Sequence, residues 1–304
     1  MLTSLFAVNY DHRIMKRENL KCLLLIVASF ISIWMAFSPL RKLLQNPRQT
    51  DYYSHIPLIP VISAFFIFIK RKKIFGRSYS FFLPGLLIMT AGAVLRLASP
   101  GLQLDANDYV SLATLSALVF WWGSFLFLFG KEAHRKAYFP AAFLIFAVPI
   151  PSIMMEKIVS VLVTASTIVT NLLFKAIGVP FAREGSIFNL PGFSIEVAKE
   201  CSGIRSSLAL LITSILAGHL FLKKFWTKGI LVLTVFPVAV LKNGLRIVGL
   251  YLLSYYIDIR FIEGDFHHKF GGTVFFGVGL FLLGLILWIL KKSEAHRAKD
   301  IKPA

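Results

Sequence analysis

Eight apolar runs, at approximately 20–37, 53–69, 81–98, 109–129, 138–150, 202–222, 229–257 and 270–290, follow one another with short charged connections between them. A run of about 20 apolar residues crosses the hydrocarbon core as a helix, because only a segment that satisfies its own backbone hydrogen bonds is stable there. The pattern predicts an all-α polytopic membrane protein of about eight transmembrane helices. Composition agrees, since 57% of the 304 residues are hydrophobic, more than soluble domains carry. The run at 20–37 is long and lacks a small-residue cleavage site, so it is expected to be a retained span and not a signal peptide. A further apolar stretch at 154–177 carries Glu156 and Lys157 near its start. It lies at the interface, re-enters or spans, and the sequence leaves all three open.

The formal net charge is +18, which raises the question of nucleic acid. That partner is excluded by where the charges lie, in short runs between apolar segments, as in cytoplasmic loops. With the N-terminus in the cytoplasm and eight alternating spans, the inside segments hold Lys16, Arg17, Lys70, Arg71, Lys72, Lys73, Lys131, Arg135, Lys136, Lys223, Lys224, Lys228, Lys291 and Lys292. The outside segments hold most of the acids, among them Asp105, Asp108, Glu184, Glu196, Glu200, Asp258, Glu263 and Asp265. Arg41, Lys42 and Arg48 run against the rule. The expected location is the cytoplasmic (inner) membrane, multi-pass, with both termini cytoplasmic. One integral membrane domain is expected over 1–304: a cytoplasmic N-terminus at 1–19, helices over 20–139, a core over 140–290, and a basic tail at 291–304 expected to be disordered.

Within this frame one polar stretch stands out, Ile195-Glu196-Val197-Ala198-Lys199-Glu200-Cys201-Ser202-Gly203-Ile204-Arg205-Ser206-Ser207. Before it, Ser186–Leu190 and Phe193–Val197 flank the turn signal Pro191-Gly192, which predicts a small extracytoplasmic β-hairpin. After it, 208–222 is almost wholly apolar. Cys201 thus stands at a strand-to-helix junction, where backbone N–H groups and the helix dipole favour the thiolate. The chain has two cysteines. Cys22 lies inside an apolar run and has the place of a small buried hydrophobe; no disulfide framework follows from this pair.

The same orientation puts Cys201 at the outer start of the sixth span, Lys242, Asn243 and Arg246 in the outer half of the seventh, and His267 and His268 just before the eighth. Each has a plain reading. A cysteine is often packing, an arginine in an apolar run snorkels or faces a polar cavity, and an interfacial histidine is usually structural. Arg205, one turn after Cys201 on the same helix face, holds a thiolate or packs at the boundary. Taken together, thiol, guanidinium and imidazole supply the nucleophile, oxyanion donor and proton shuttle of acyl transfer. No HExxH, zinc-ligand spacing, paired intramembrane aspartates, Walker loop or dinucleotide fingerprint occurs, so neither metal nor cofactor is expected.

Several blocks, in order, resemble the exosortase/archaeosortase family of membrane cysteine transpeptidases. They are Phe146-Ala147-Val148-Pro149-Ile150-Pro151; Gly178-Val179-Pro180 with Arg183-Glu184-Gly185; Leu190-Pro191-Gly192; Val197 to Ser206 around Cys201; Asn243-Gly244-Leu245-Arg246; and His268-Lys269-Phe270-Gly271-Gly272-Thr273-Val274-Phe275-Phe276. The resemblance covers roughly 140–280. It implies a catalytic Cys201, Arg246 and His268, with Glu200, Arg205, Asn243 and His267 as supporting candidates. Lys269 departs from the acidic residue that often follows the histidine, and Asp265 or Glu263 is left to replace it. Lys199-Glu200 is the other departure. The implied substrates are membrane-anchored proteins with a C-terminal sorting tag: a short motif, Pro-Glu-Pro-like in bacterial members, then one membrane helix and a basic cluster. The acceptor is water, or an amine or hydroxyl on a lipid- or polysaccharide-linked carrier. The rival from another class is a transporter or polysaccharide-export component in which Arg96, Arg205, Lys242 and Arg246 line a polar path.

Overall fold

A computed structural model describes residues 2–45, 53–76, 80–198, 202–258, 260–263 and 271–300. The chain divides into two units, Met1–Ser152 and Ile153–Ala304.

The first unit is built along one helix. Its elements are α1 (Leu2–Leu44), α2 (Leu58–Ile69), the single turn α3 (Arg71–Ile74), α4 (Phe82–Ala98), α5 (Ala106–Lys136) and α6 (Tyr138–Phe143). The other segments run beside α5 from one end to the other. On α1, Leu25 packs with Phe125 and Phe129, Ser29 Oγ accepts the Trp121 indole N–H at 2.9 Å, and Met35 meets Ala117. The Tyr53 hydroxyl donates to Asn107 at 2.8 Å, while Ile74 is buried among Phe125, Phe129 and Ala133. Ser80 donates to the Leu128 carbonyl at 3.3 Å, and the Arg96 guanidinium lies over the Tyr109 ring. Past Lys136 the chain climbs back: Trp122 donates to Ala141 O and Asn107 to Ile150 O, both at 2.9 Å. The spans expected at 53–69 and 138–150 are therefore composite. The α2 helix, at 12 residues, reaches only about 18 Å, yet each whole segment covers the length of α5.

Helix α4 lies against α5 on glycine. A Cβ at Gly85, Gly92 or Gly123 would stand 2.4, 2.5 or 2.2 Å from the backbone nitrogen of Phe127, Phe120 or Met89. Small residues that let backbones touch are the usual means of holding membrane helices together, where lipid tails remove the hydrophobic drive. Gly130 (φ 73, ψ −176) breaks α5 and sets off its last stretch, Lys131–Lys136; the positive φ there suits glycine alone.

The second unit comprises α7 (Ser152–Ala176), which begins on the last residue of the first unit, strands β1 (Ala182–Glu184), β2 (Ile187–Asn189) and β3 (Ser194–Glu196), then α8 (Ile204–Phe221), α9 (Phe225–Leu233), α10 (Val235–Tyr256), α11 (Arg260–Glu263) and α12 (Gly271–Asp300). The strands form one antiparallel sheet in the order β1-β2-β3, with Arg183 opposite Phe188 and Phe188 opposite Ile195. The expected hairpin is present as β2–β3, and β1 adds a third strand. Alternation sends Phe188, Ile195 and Val197 inward onto Phe174 of α7 and Ile247, Val248 and Tyr251 of α10.

Seven helices among the described residues have the length and composition of membrane spans, and large apolar side chains such as Trp34, Leu97 and Phe281 face outward, as a hydrocarbon solvent requires. All of the stretch 154–177 but its last residue lies in α7, a continuous 25-residue helix of span length. The span expected from 202 begins at Ile204, and the one expected from 229 begins at Phe225 and is interrupted at Thr234. The tail is not disordered through 300: α12 continues to Asp300, and Glu294 accepts from the Lys223 and Lys224 N–H groups, each at 2.9 Å, and from Thr227.

Candidate active site

Glu200, Cys201, His267 and His268 lie outside the described residues. What the structure places is the frame around position 201 and the basic cluster of α10, all in the second unit.

Chain direction changes at Gly203, whose φ of +72° is left-handed and cannot continue into a right-handed helix. Ser207 N–H, and the Ser206 and Ser207 hydroxyls, all donate back to the Gly203 carbonyl, at 2.8–2.9 Å. Helix α8 therefore starts at Ile204. This corrects the expectation that Arg205 lies one turn after Cys201 on one helix: the one-turn spacing from 201 to 205 is not provided by α8, and the Arg205 side chain is exposed.

Gly203 rests on α10. A Cβ there would stand 3.2 Å from Asn243 Oδ1 and 3.6 Å from Lys242 Nζ. Asn243 is 1% exposed and donates from Nδ2 to Ser166 Oγ of α7 at 3.1 Å. Gly244 beside it lets α7 approach, since a Cβ would meet Val169 at 2.8 Å. The Lys242 ammonium, 3% exposed, donates to Ser206 Oγ. No carboxylate among the described residues pairs with Lys242. Arg246, half-buried, follows one turn later, just before Ile247 and Val248, on which the sheet packs. Ser202 Oγ and Thr170 Oγ1 are buried without a hydrogen-bond partner among the described residues.

The arrangement is thus a polar seam with two cations of like sign on successive turns of one helix, the first of them, Lys242, against the start of another. Burying an ammonium without a counter-charge is costly, so such a seam suits a place where negative charge forms, as on a thiolate or an oxyanion. Asn243 and Arg246, both expected at the site, share α10. Lys242 was expected in the polar path of the rival reading and not in the catalytic set, and its partner Ser206 in neither. Ser166 carried no signal, because serine is ordinary in a membrane helix. Among the described residues no group of His, Cys, Asp and Glu is arranged to hold a metal.

A membrane-embedded, multi-pass helical protein with a basic seam at a strand-to-helix turn is the class that fold and site define. The profile of the transmembrane exosortase family matches residues 44–285, most of the chain, and the protein belongs to that family. The match reaches beyond 140–280 into the helices of the first unit. No curated protein and no solved structure matches the chain.

Proposed function

We propose that the protein is a thiol-dependent membrane protease/transpeptidase acting on C-terminal sorting tags. Cys201 Sγ attacks the scissile carbonyl; the C–N bond breaks as a thioester forms, and His268 protonates the departing amine. Water, or an acceptor amine or hydroxyl on a lipid- or polysaccharide-linked carrier, then attacks the thioester and releases the thiol. Arg246 stabilises the oxyanion. Lys242 and Asn243 hold the Gly203 turn that follows the nucleophile, with Glu200, Arg205 and His267 as supporting groups. The observation that carries this reading is the seating of Gly203 on Lys242 and Asn243 one turn before Arg246, in a chain of the exosortase family. The transporter reading is weakened at Arg96, which is committed to the Met35 carbonyl at 3.0 Å and to Ser99.

We place the protein in the inner membrane with the active site outward. In the second unit, Lys223, Lys224, Lys291 and Lys292 gather at the end of α8, α9 and α12 away from the Gly203 turn, and positive charge favours the cytoplasm. Both termini are cytoplasmic if α7 lies in the interface or re-enters. A crossing α7 puts them on opposite sides, and reporter fusions at each terminus decide between the two.

The test is processing of a tagged, membrane-anchored substrate in cells. Cys201→Ala and Cys201→Ser are expected to abolish it, and His268→Ala to reduce it more than His267→Ala. Arg246→Gln should slow it by roughly 10²–10³-fold, the usual loss for an oxyanion donor. Cys22, half-buried in α1 against the first unit's core, should tolerate alanine. Processing by Cys201→Ala would remove the nucleophile and the mechanism with it.

A further inference from the structure

The first unit carries a second basic feature, far in sequence from the candidate site. A cavity of about 500 Å³ is lined by Lys70, Lys72, Lys73, Ile74, Gly76 and Lys136. Lysines near the ends of membrane helices are expected in general; their convergence on one cavity is not. The lining is also held in place. Ile74, 1% exposed, is buried among Phe125, Phe129, Ala133 and Ala137, and the Phe75 ring packs edge-on against Phe129 with centroids 4.7 Å apart. The N–H groups of Lys73 and Ile74 both donate to the Lys70 carbonyl, which fixes the turn. From the other side, the break at Gly130 delivers Lys136 on the separate final stretch of α5.

No carboxylate is among the lining residues. Glu132, the acid nearest in sequence, pairs with Arg135 at 3.2 Å. Arg71 is turned away as well, with its guanidinium 4.1 Å from the Phe68 ring and bonded to the Phe68 carbonyl. Four lysines therefore line one space, and among the described residues no carboxylate pairs with them. An ammonium is a compact donor suited to phosphate oxygens. The flanks identify the source of that phosphate. On one side α2 leads away from Lys70 with Phe65, Phe68 and Ile69 exposed; on the other Tyr138 is exposed two residues after Lys136. Apolar side chains running from a basic cluster, with an aromatic at the rim, match a lipid whose acyl chains lie along α2 and whose headgroup sits among the lysines. A free inorganic anion explains the lysines and leaves the apolar flank unexplained. The basic end of a sorting tag is excluded as occupant by its like charge.

We propose that this cavity is a binding site for the phosphate headgroup of an anionic phospholipid. The claim concerns unit 1 alone and does not depend on the thiol mechanism.

The experiment uses the purified full chain in detergent micelles, with bound lipid counted by native mass spectrometry after adding equal phosphatidylglycerol and phosphatidylcholine. Wild type is expected to retain phosphatidylglycerol about tenfold over phosphatidylcholine, and Lys72→Gln/Lys73→Gln/Lys136→Gln to lose that preference, given the usual attraction per basic residue. The arginine triple at the same positions should keep it, as should Lys223→Gln/Lys224→Gln/Lys228→Gln in the second unit. Absence of preference in wild type, or its survival in the glutamine triple, would overturn the proposal. Displacement of the lipid by millimolar inorganic phosphate would overturn the lipid source in favour of a soluble anion. The wild-type comparison needs no variant, and the glutamine changes fall on exposed side chains, so a folding defect does not decide the outcome.

Discussion

The α4–α5 seam of the first unit and the α7–α8–α10 seam of the second both depend on glycine, yet they bring different groups together. Gly85, Gly92 and Gly123 let two helices touch along a line with no charged group in it. The approach in the second unit is looser: a Cβ at Gly203 would stand 3.2 Å from Asn243 and 3.6 Å from Lys242, and one at Gly244 2.8 Å from the Val169 side chain, beside the Asn243–Ser166 hydrogen bond. In the first case close approach gives dispersion contacts and little else. In the second it confines an ammonium, an amide and several hydroxyls where water does not hydrate them. The same packing device builds a strut in one unit and a polar site in the other, and the residues beside the glycine decide which.

That contrast can be broken by substitution. The largest effect is expected at Gly123→Leu, where the side chain would have to displace the backbone at Met89; a loss of about 3 kcal/mol is typical of such overpacking. Thermal melting of the purified protein in detergent measures it, and an unchanged melting temperature would show that α4 and α5 are not held by that line. Lys242→Met should behave in the opposite way. Among the described residues no carboxylate pairs with this ammonium, so an apolar chain of similar length removes its desolvation cost, and the melt should hold or rise. Tag processing should meanwhile slow by about 10²-fold, the low end for a lost electrostatic contact at a reacting centre. A lower melting temperature with normal processing would make Lys242 a strut after all.

The smallest effect is expected at Asp105, which caps α5 by accepting the Asp108 N–H at 2.7 Å and also accepts the Ser152 hydroxyl at 3.0 Å. The Asp108 N–H chiefly holds its carboxyl below the ordinary value of 3.8. A group so depressed adds stability above its unfolded value and loses it as pH falls through the folded one. Asp105→Ala should therefore cost about 1 kcal/mol near neutrality and less below pH 4. The same deficit at pH 3 and pH 7 would show that the charged cap is not the cause.

Membrane character, the β2–β3 hairpin and the family were legible in the sequence because each rests on a local signal: apolar length, alternation about Pro191-Gly192, and ordered blocks. Strand β1 was not, since Ala182, Arg183 and Glu184 are all exposed and show no alternation. The start of α8 was misplaced by two residues because apolar content cannot reveal that Gly203 takes a left-handed φ. The composite spans were seen as segments, but α2 and α6 were too short to announce how they cross. At the site, Asn243 and Arg246 were found from charge and polarity in an apolar run. Ser166 and Ser206 become partners only through tertiary contact, which no periodicity encodes. The placement of Cys201, His267 and His268 remains a proposal drawn from the family blocks.

The sheet and the Gly203 turn have a joint consequence. Val197 is buried against α10, its N–H donated to the Ser186 carbonyl at 3.0 Å, while Ser202 is 1% exposed and Gly203 abuts Asn243. The two flanks of positions 198–201 are therefore tied to one helix, so a substitution that shifts α10 moves both flanks together.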